Sequence, residues 1–147
     1  VLVHGTEGHL IADILKNENV SVIAGPVLCD RCKPEMNRLE LKNPGIMSGE
    51  GVRTCICTDH PETPVQYLPL SALAAIKGGM KYDSALEAIT CNAADAAGIG
   101  DKTGRIKEGL DADIQLYHGD PLDFMEEPVL VLINGINVLE KNQNEIF

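Results

Sequence analysis

The stretch Val52-Arg53-Thr54-Cys55-Ile56-Cys57-Thr58, followed by Asp59-His60-Pro61, decides how the rest of the chain is read. Its apolar and β-branched residues predict a buried strand, and Pro61 and Pro64 predict a loop after it. A carboxylate, Asp59, therefore stands at the C-terminal end of a strand. In parallel α/β folds, polar groups at strand C-termini line the functional face. A carboxylate there either ligates a metal or takes a proton from water. Asp is equally common as the first residue of a turn, and position by itself leaves both readings open.

Upstream, Val20 to Ala24 predicts a second apolar strand, stopped by Gly25-Pro26. Val1 to His4 predicts another, ending in Gly5. Between them Leu10, Ile11, Ile14 and Leu15 fall at spacings that share one helical face, and Lys16-Asn17-Glu18-Asn19 closes that helix. The polar run from Cys29 to Asn43 predicts irregular or short helical structure, and Pro44 to Gly51 has room for one more short helix. Downstream, Val65 to Lys77 predicts a helix ended by Gly78-Gly79. Ser84 and Glu87 form a capping-box pattern ahead of a helix from Ala85 to Ala97, with Gly98 as its C-cap. Apolar strands alternating with helices predict parallel strands covered on both faces.

His4 ends its strand as Asp59 ends the later one. A neutral imidazole in that place either binds a metal or hydrogen-bonds a reacting oxygen, although a lone His is more often structural. His9 begins a helix and reads as a terminus residue. His60 either orients Asp59 or points outward.

After Gly98 the character changes. Gly100, Gly104 and Gly109 punctuate short segments, and Ala112 to Tyr117 and Pro128 to Ile133 predict strands. Asn134-Gly135 stands between Val131-Leu132-Ile133 and Ile136-Asn137-Val138, a strong hairpin signal. The expected division is 1–103, an α/β part, and 104–147, a β-rich segment.

The chain has 147 residues and a formal net charge of −10. That length suits one domain with a real core. The acidic balance disfavours nucleic acid, which needs a basic footprint. With no long apolar run, a membrane span is not expected. The first residues lack a starting Met and the basic region of a signal peptide, and they open in what reads as the middle of a strand. A processed or incomplete chain fits that opening. The five cysteines, an odd number without a signal, lead us to expect reduced thiols and a cytoplasmic location. Cys29-Asp30-Arg31-Cys32 is a CxxC, either half of a zinc site or a redox pair. Cys55 and Cys57 share a strand face and chelate one metal poorly. Incidental free thiols are the preferred reading.

Several segments occur in one order: His4-Gly5-Thr6-Glu7-Gly8-His9, then Thr58-Asp59-His60-Pro61 with Gln66-Tyr67-Leu68-Pro69-Leu70, then Ala85 to Ala94, then Gly104-Arg105-Ile106-Lys107-Glu108-Gly109-Leu110-Asp111-Ala112-Asp113-Ile114, and finally Gly119-Asp120-Pro121-Leu122. Over nearly the whole chain this resembles the C-terminal region of amidohydrolases related to imidazolonepropionase. The resemblance implies an α/β fold: the last three strands and helices of a (β/α)8 TIM barrel plus the C-terminal part of a small β-sandwich. Val1 to His4 resembles barrel strand six, Val20 to Ala24 strand seven and Val52 to Thr58 strand eight. In such proteins the strand-eight Asp is a metal ligand and proton shuttle, and Asp59 matches it. The strand-six His contacts a metal or the substrate oxygen, and His4 matches it. The His-x-His pair of strand one and the His of strand five have no match among His4, His9, His60 and His118.

The resemblance therefore implies hydrolysis of non-peptide C–N bonds, in cyclic or linear amides, by a full-length parent that holds a divalent metal, zinc first. A metal can bring the pKa of water to about 7 and polarise a carbonyl. One Asp and one His fall short of the three protein ligands of a zinc site, so this chain by itself is expected to be inactive. Expected partners are a small-molecule amide for the parent and, for this chain, either a second copy or the missing N-terminal part of the barrel. Two other readings stand beside this one: a non-catalytic interaction subunit completing a split barrel, and a cysteine-based metal or redox module.

Overall fold

The computed structural model describes residues 1–31 and 33–139. Three short strands, β1 (Leu2–Val3), β2 (Val22–Ala24) and β3 (Thr54–Ile56), form a parallel sheet in the order β1-β2-β3. Leu2 pairs with Val22, and Val22 with Thr54, so all three strands exit the sheet at the same end. β1 is exposed, whereas β2 and β3 are buried, with Val22 and Cys55 essentially inaccessible. This is what continuous apolar runs require of strands covered on both faces.

Five helices follow: α1 (Ala12–Asn17), α2 (Lys42–Gly49), α3 (Leu68–Lys77), α4 (Tyr82–Ile89) and α5 (Cys91–Ala96). They divide the interior in two. Ala12 and Leu15 of α1 and Met47 of α2 pack on Val22, Ala24 and Val52. Ala72 and Ala75 of α3 and Ala85 and Ala88 of α4 pack with Ile56, Met80 and Leu122. The four alanines are fully buried, and their small side chains let the two helices approach each other closely.

A second sheet is antiparallel: β4 (Ile114–Leu116), β5 (Leu130–Ile133) and β6 (Ile136–Asn137). Ile133 pairs with Ile136 across Asn134 and Gly135, whose φ angles are 51° and 75°. Two central residues with positive φ make the hairpin turn whose twist matches its strands. The hairpin expected at Asn134-Gly135 is therefore present.

The tail is fastened to the helical part at two places. Arg105 grips Asp95 of α5 with two hydrogen bonds, Nη1 to Oδ1 at 2.9 Å and Nη2 to Oδ2 at 2.7 Å. Gly104 has φ 90°, and a Cβ there would come within 2.6 Å of the Ala94 side chain, so only glycine fits. Further along, the Leu122 N–H donates to Asp120 Oδ1 at 2.8 Å, and the Tyr82 hydroxyl donates to the same oxygen. That turn drives Leu122 into the core between β3, α3 and α4. The Asp120 carboxylate pushes the Tyr82 hydroxyl up to about 12. The same bond, with the Leu122 N–H, holds Asp120 below the usual carboxylate range.

Three expectations need correction. The face Leu10, Ile11, Ile14, Leu15 is not buried as a unit: residues Gly8–Ile11 form a 3-10 turn, only Leu15 is buried, and Leu10 and Ile14 are more than half exposed. The change from three to 3.6 residues per turn breaks the alignment that a continuous helix would give. The helix expected over Ala85 to Ala97 is two helices, broken at Thr90 (φ −127°, ψ −99°). There the Thr90 hydroxyl donates to the Leu86 carbonyl, a side-chain bond that competes with the helical ladder. Ser84 and Glu87 do not cap: α4 begins earlier, at Tyr82, after an extended Lys81. Gly98 does end α5, with φ 73° and the Ile99 N–H donating to the Ala94 carbonyl. No helix among the described residues is long and apolar enough to cross a membrane.

Candidate active site

Two of the sequence-predicted residues meet at the exit end of the parallel sheet. His4 follows β1 and Asp59 follows β3, and His4 Nε2 lies 3.8 Å from Asp59 Oδ1. Both side chains are partly open to solvent. Both residues also have left-handed backbones, φ 56° for His4 and 52° for Asp59. That conformation is uncommon for residues other than glycine, and such strain concentrates at functional sites.

The protonation of His4 follows from its partners. Its Nδ1 lies 3.0 Å from the carbonyl oxygen of Gly25, just after β2. A carbonyl only accepts, so Nδ1 carries the hydrogen. In the neutral ring, Nε2 then presents a lone pair toward the Asp59 carboxylate. Two acceptors facing each other at this distance want a cation or a proton between them. This is the orientation in which a ligating His is held by a carbonyl on its other nitrogen.

The neighbours hold both residues in place. A Cβ at Gly25 would overlap the Cys57 carbonyl oxygen, and Gly25 has φ 147°, so this crossing of the β2 and β3 exits admits only glycine. The turn carrying Asp59 is closed by the Glu62 N–H on the Asp59 carbonyl at 2.9 Å and the Thr63 N–H on the Thr58 carbonyl at 3.2 Å. The Thr63 hydroxyl then donates to the Leu28 carbonyl, tying this loop to the one after β2.

A cleft of about 190 Å³ opens over these residues, with Lys33, Glu35 and Glu62 at its walls. Lys33 Nζ sits 3.7 Å from Glu62 Oε1, an exposed pair of little energetic weight. A larger hollow of about 560 Å³ lies beside Arg31, Leu41 and Gly78. We place the site in the smaller cleft, because strand-end polar groups converge there, whereas in the larger one the Arg31 guanidinium is already occupied by the Leu39 carbonyl.

The other candidates fall outside. His60 is exposed, and His118 is exposed in the tail. Burial pushes the Cys55 thiol up to about 11 and raises that of Cys57. Thiols so raised are poor nucleophiles and poor metal ligands at neutral pH. Cys29 donates to the Pro26 carbonyl, and Cys32 lies outside the described residues. Among the described residues no cluster of three or more His, Cys, Asp or Glu is placed to hold a metal ion.

Sequence reasoning missed Asn43 and Gly25. Asn43 is 2% exposed in the first turn of α2 and bonds both to the turn after His4 and to His9. Asn43-Pro44 reads as turn initiation, and nothing local marks it as buried. In the sequence Gly25 marks only the stop of a strand.

Comparison with known proteins places the chain in a family. The chain superposes on an amidohydrolase from Thermotoga maritima with a TM-score of 0.88 and 32% identity, covering 92% of this chain and 36% of that one. It superposes with a TM-score of 0.68 on an adenosine deaminase from Xanthomonas campestris that has bound zinc. There the identity is 19%, over 92% of this chain and 36% of that one. An imidazolonepropionase from Thermoplasma volcanium is 39% identical over 75 residues, 51% of this chain and 18% of that protein. The chain thus spans well under half the length of these relatives. Residues 1–145 match the pattern of the Amidohydrolase family, nearly the whole sequence. This chain belongs to the amidohydrolase family.

Proposed function

We propose that this chain is the C-terminal part of a metal-dependent hydrolase of non-peptide C–N bonds, contributing His4 and Asp59 to a site completed by residues outside it. The observation that carries this reading is His4 Nε2 facing Asp59 Oδ1 across the exit end of the sheet, with Nδ1 held by the Gly25 carbonyl. On this reading β1, β2 and β3 are the last three strands of a (β/α)8 barrel. Residues 104–147 are the C-terminal share of a small β-sandwich.

The two facing acceptors fit a divalent cation, and His4 Nε2 and Asp59 Oδ1 would hold it. When bound, the metal, zinc by analogy with the deaminase, supplies the Lewis acidity that hydrolysis of an unactivated amide needs. Two protein ligands fall short of the usual three, which is why the site requires the rest of the barrel. Asp59 takes a proton from the attacking water and passes it to the leaving nitrogen, as a positioned carboxylate can. His4 keeps Nε2 free of hydrogen and turned toward the reacting centre. The Cys55 and Cys57 thiols, both raised by burial, give no support to a metal or redox role for that pair.

The test is reconstitution. The chain is combined with the upstream region of its gene, metal content is measured, and a panel of cyclic and linear amides is assayed. Metal-dependent turnover that is lost in Asp59→Asn supports the reading. A metal-free complex inert toward the whole panel supports a non-catalytic subunit instead.

A further inference from the structure

We propose that Asn43 is a positioning residue for His4: from the first turn of α2 it fixes the carbonyl of Gly5, the residue after His4, and so keeps His4 Nε2 turned toward Asp59. This rests on the reading that His4 serves the reacting centre. Asn43 reaches back 38 residues along the chain to donate, through Nδ2, to the Gly5 carbonyl at 2.7 Å. Its Oδ1 accepts from the His9 backbone N–H at 3.0 Å and from His9 Nδ1 at 2.9 Å. The amide orientation is fixed chemically, since the Gly5 carbonyl only accepts and the His9 N–H only donates. His9 Nδ1 therefore carries a hydrogen.

The connection to His4 runs through one residue, Gly5. His4 holds a left-handed φ of 56°, and the Gly5 N–H on its far side donates to the Ile23 carbonyl of β2 at 3.3 Å. Gly5 is thus held on both sides: its N–H, in the peptide that joins it to His4, by the sheet, and its carbonyl, in the next peptide, by Asn43. Such a backbone persists only where surrounding contacts over-determine it. If the Asn43 bond is lost, the Gly5 carbonyl is left unpaired in a buried place, and the turn gains freedom to relax. The His4 ring would then leave the Gly25 carbonyl, and its Nε2 lone pair would lose its direction.

The experiment reads the His4 ring directly. In 15N-labelled protein near neutral pH, two-bond proton–nitrogen correlations report which ring nitrogen carries the hydrogen. We expect the Nδ1–H form in the native chain. In Asn43→Asp, which keeps an acceptor for His9 but cannot donate to the Gly5 carbonyl, the ratio of Nδ1–H to Nε2–H should fall roughly fivefold. In His9→Ala, which leaves the Asn43–Gly5 bond in place, the ratio should stay as in the native chain. Asn43→Ser, too short to reach Gly5, serves where Asn43→Asp does not fold. An unchanged ratio in a folded Asn43 variant overturns the proposal, and so does an equal shift in His9→Ala, which would mean general loosening. Added zinc separates the two readings. If it does not perturb His4 in the reconstituted barrel, the functional reading fails while the positioning result still stands.

Discussion

His4 and Asp59 share a left-handed backbone, φ 56° and 52°, at the exits of two strands that flank β2 rather than each other. Each is held by a different neighbour: His4 by the Gly25 carbonyl, Asp59 by the turn that its own carbonyl closes with Glu62. Asp and His enter this region more readily than most residues, as Asn19 and Asn134 also do here, but glycine would still adopt it at lower cost. Keeping an imidazole and a carboxylate there costs stability, and the proposed site is what that cost supports.

The backbone at Asp59 gives the first prediction. Asp59→Ala keeps the strain and loses the side chain, whereas Asp59→Gly relieves the strain. The Gly variant should be more stable than the Ala variant by about 1 kcal/mol, measured by urea unfolding. Both should fail in the reconstituted assay. A Gly variant less stable than Ala would show that no strain is stored at this position.

Gly25→Ala should do far more damage. A Cβ there has no room against the Cys57 carbonyl, and φ 147° is hostile to any side chain. The β2 and β3 exits would have to part, at a cost of about 2–4 kcal/mol. Because the Gly25 carbonyl also holds His4, the Nδ1–H signal of His4 should weaken in the same variant. Thermal unfolding and the His4 ring correlations together check this, and a native-like result in both would refute the crowding argument.

The strands were legible because short apolar runs bounded by Gly and Pro have few other uses, and Asp59 and His4 were legible as polar residues ending such runs. The hairpin at Asn134-Gly135 was legible because only residues tolerant of positive φ serve there. Asn43 was not, since its burial depends on a turn 38 residues upstream and leaves no periodic trace. The break at Thr90 was hidden for a similar reason. Local propensity favours one helix through Ala85 to Ala97, but the turn there lets Asn92 donate to the Thr54 carbonyl at the start of β3. Leu10 and Ile14 deceived in the other direction, because a period of apolar residues says that a face wants cover and not which partner covers it.

The tail clamp should show in the acid limb of unfolding. The Arg105 guanidinium holds the Asp95 carboxyl below its ordinary range. Since the folded value is lowered, the contribution to stability is fully present above the unfolded value, about pH 4. It is lost as pH falls through the lowered folded value. Asp95→Asn should therefore be less stable than the native chain at neutral pH, and the difference should shrink below about pH 4. A pH-independent difference would mean that the two hydrogen bonds matter only through packing.

Leu122 tests whether the tail belongs to the same cooperative unit. It is 1% exposed and lies among alanines that cannot expand to fill a gap. Leu122→Ala should cost about 2–5 kcal/mol. The loss should appear in a single transition shared by the helical part and the tail. Two separate transitions would show that residues 104–147 fold independently of the helices.

The final prediction concerns what covers β1. Leu2 and Val3 are exposed, β1 pairs among the described residues only with β2, and Leu10, Ile11 and Ile14 lie open beyond it on the adjoining turn and helix. An unpaired strand edge flanked by apolar side chains is a site for further pairing, and a closed barrel has no such edge. The chain by itself should therefore associate with copies of itself, as light scattering coupled to size exclusion would show. Val3→Lys and Ile14→Lys, which place charge on the open surface and touch neither buried core, should shift it toward monomer. Adding the upstream region should compete with self-association, give a defined one-to-one complex, and restore metal binding that neither part has alone. A monodisperse monomer that ignores the upstream region would sink the split-barrel reading. Metal-dependent turnover by the isolated chain, abolished in Asp59→Asn, would show instead that its own residues suffice for the site.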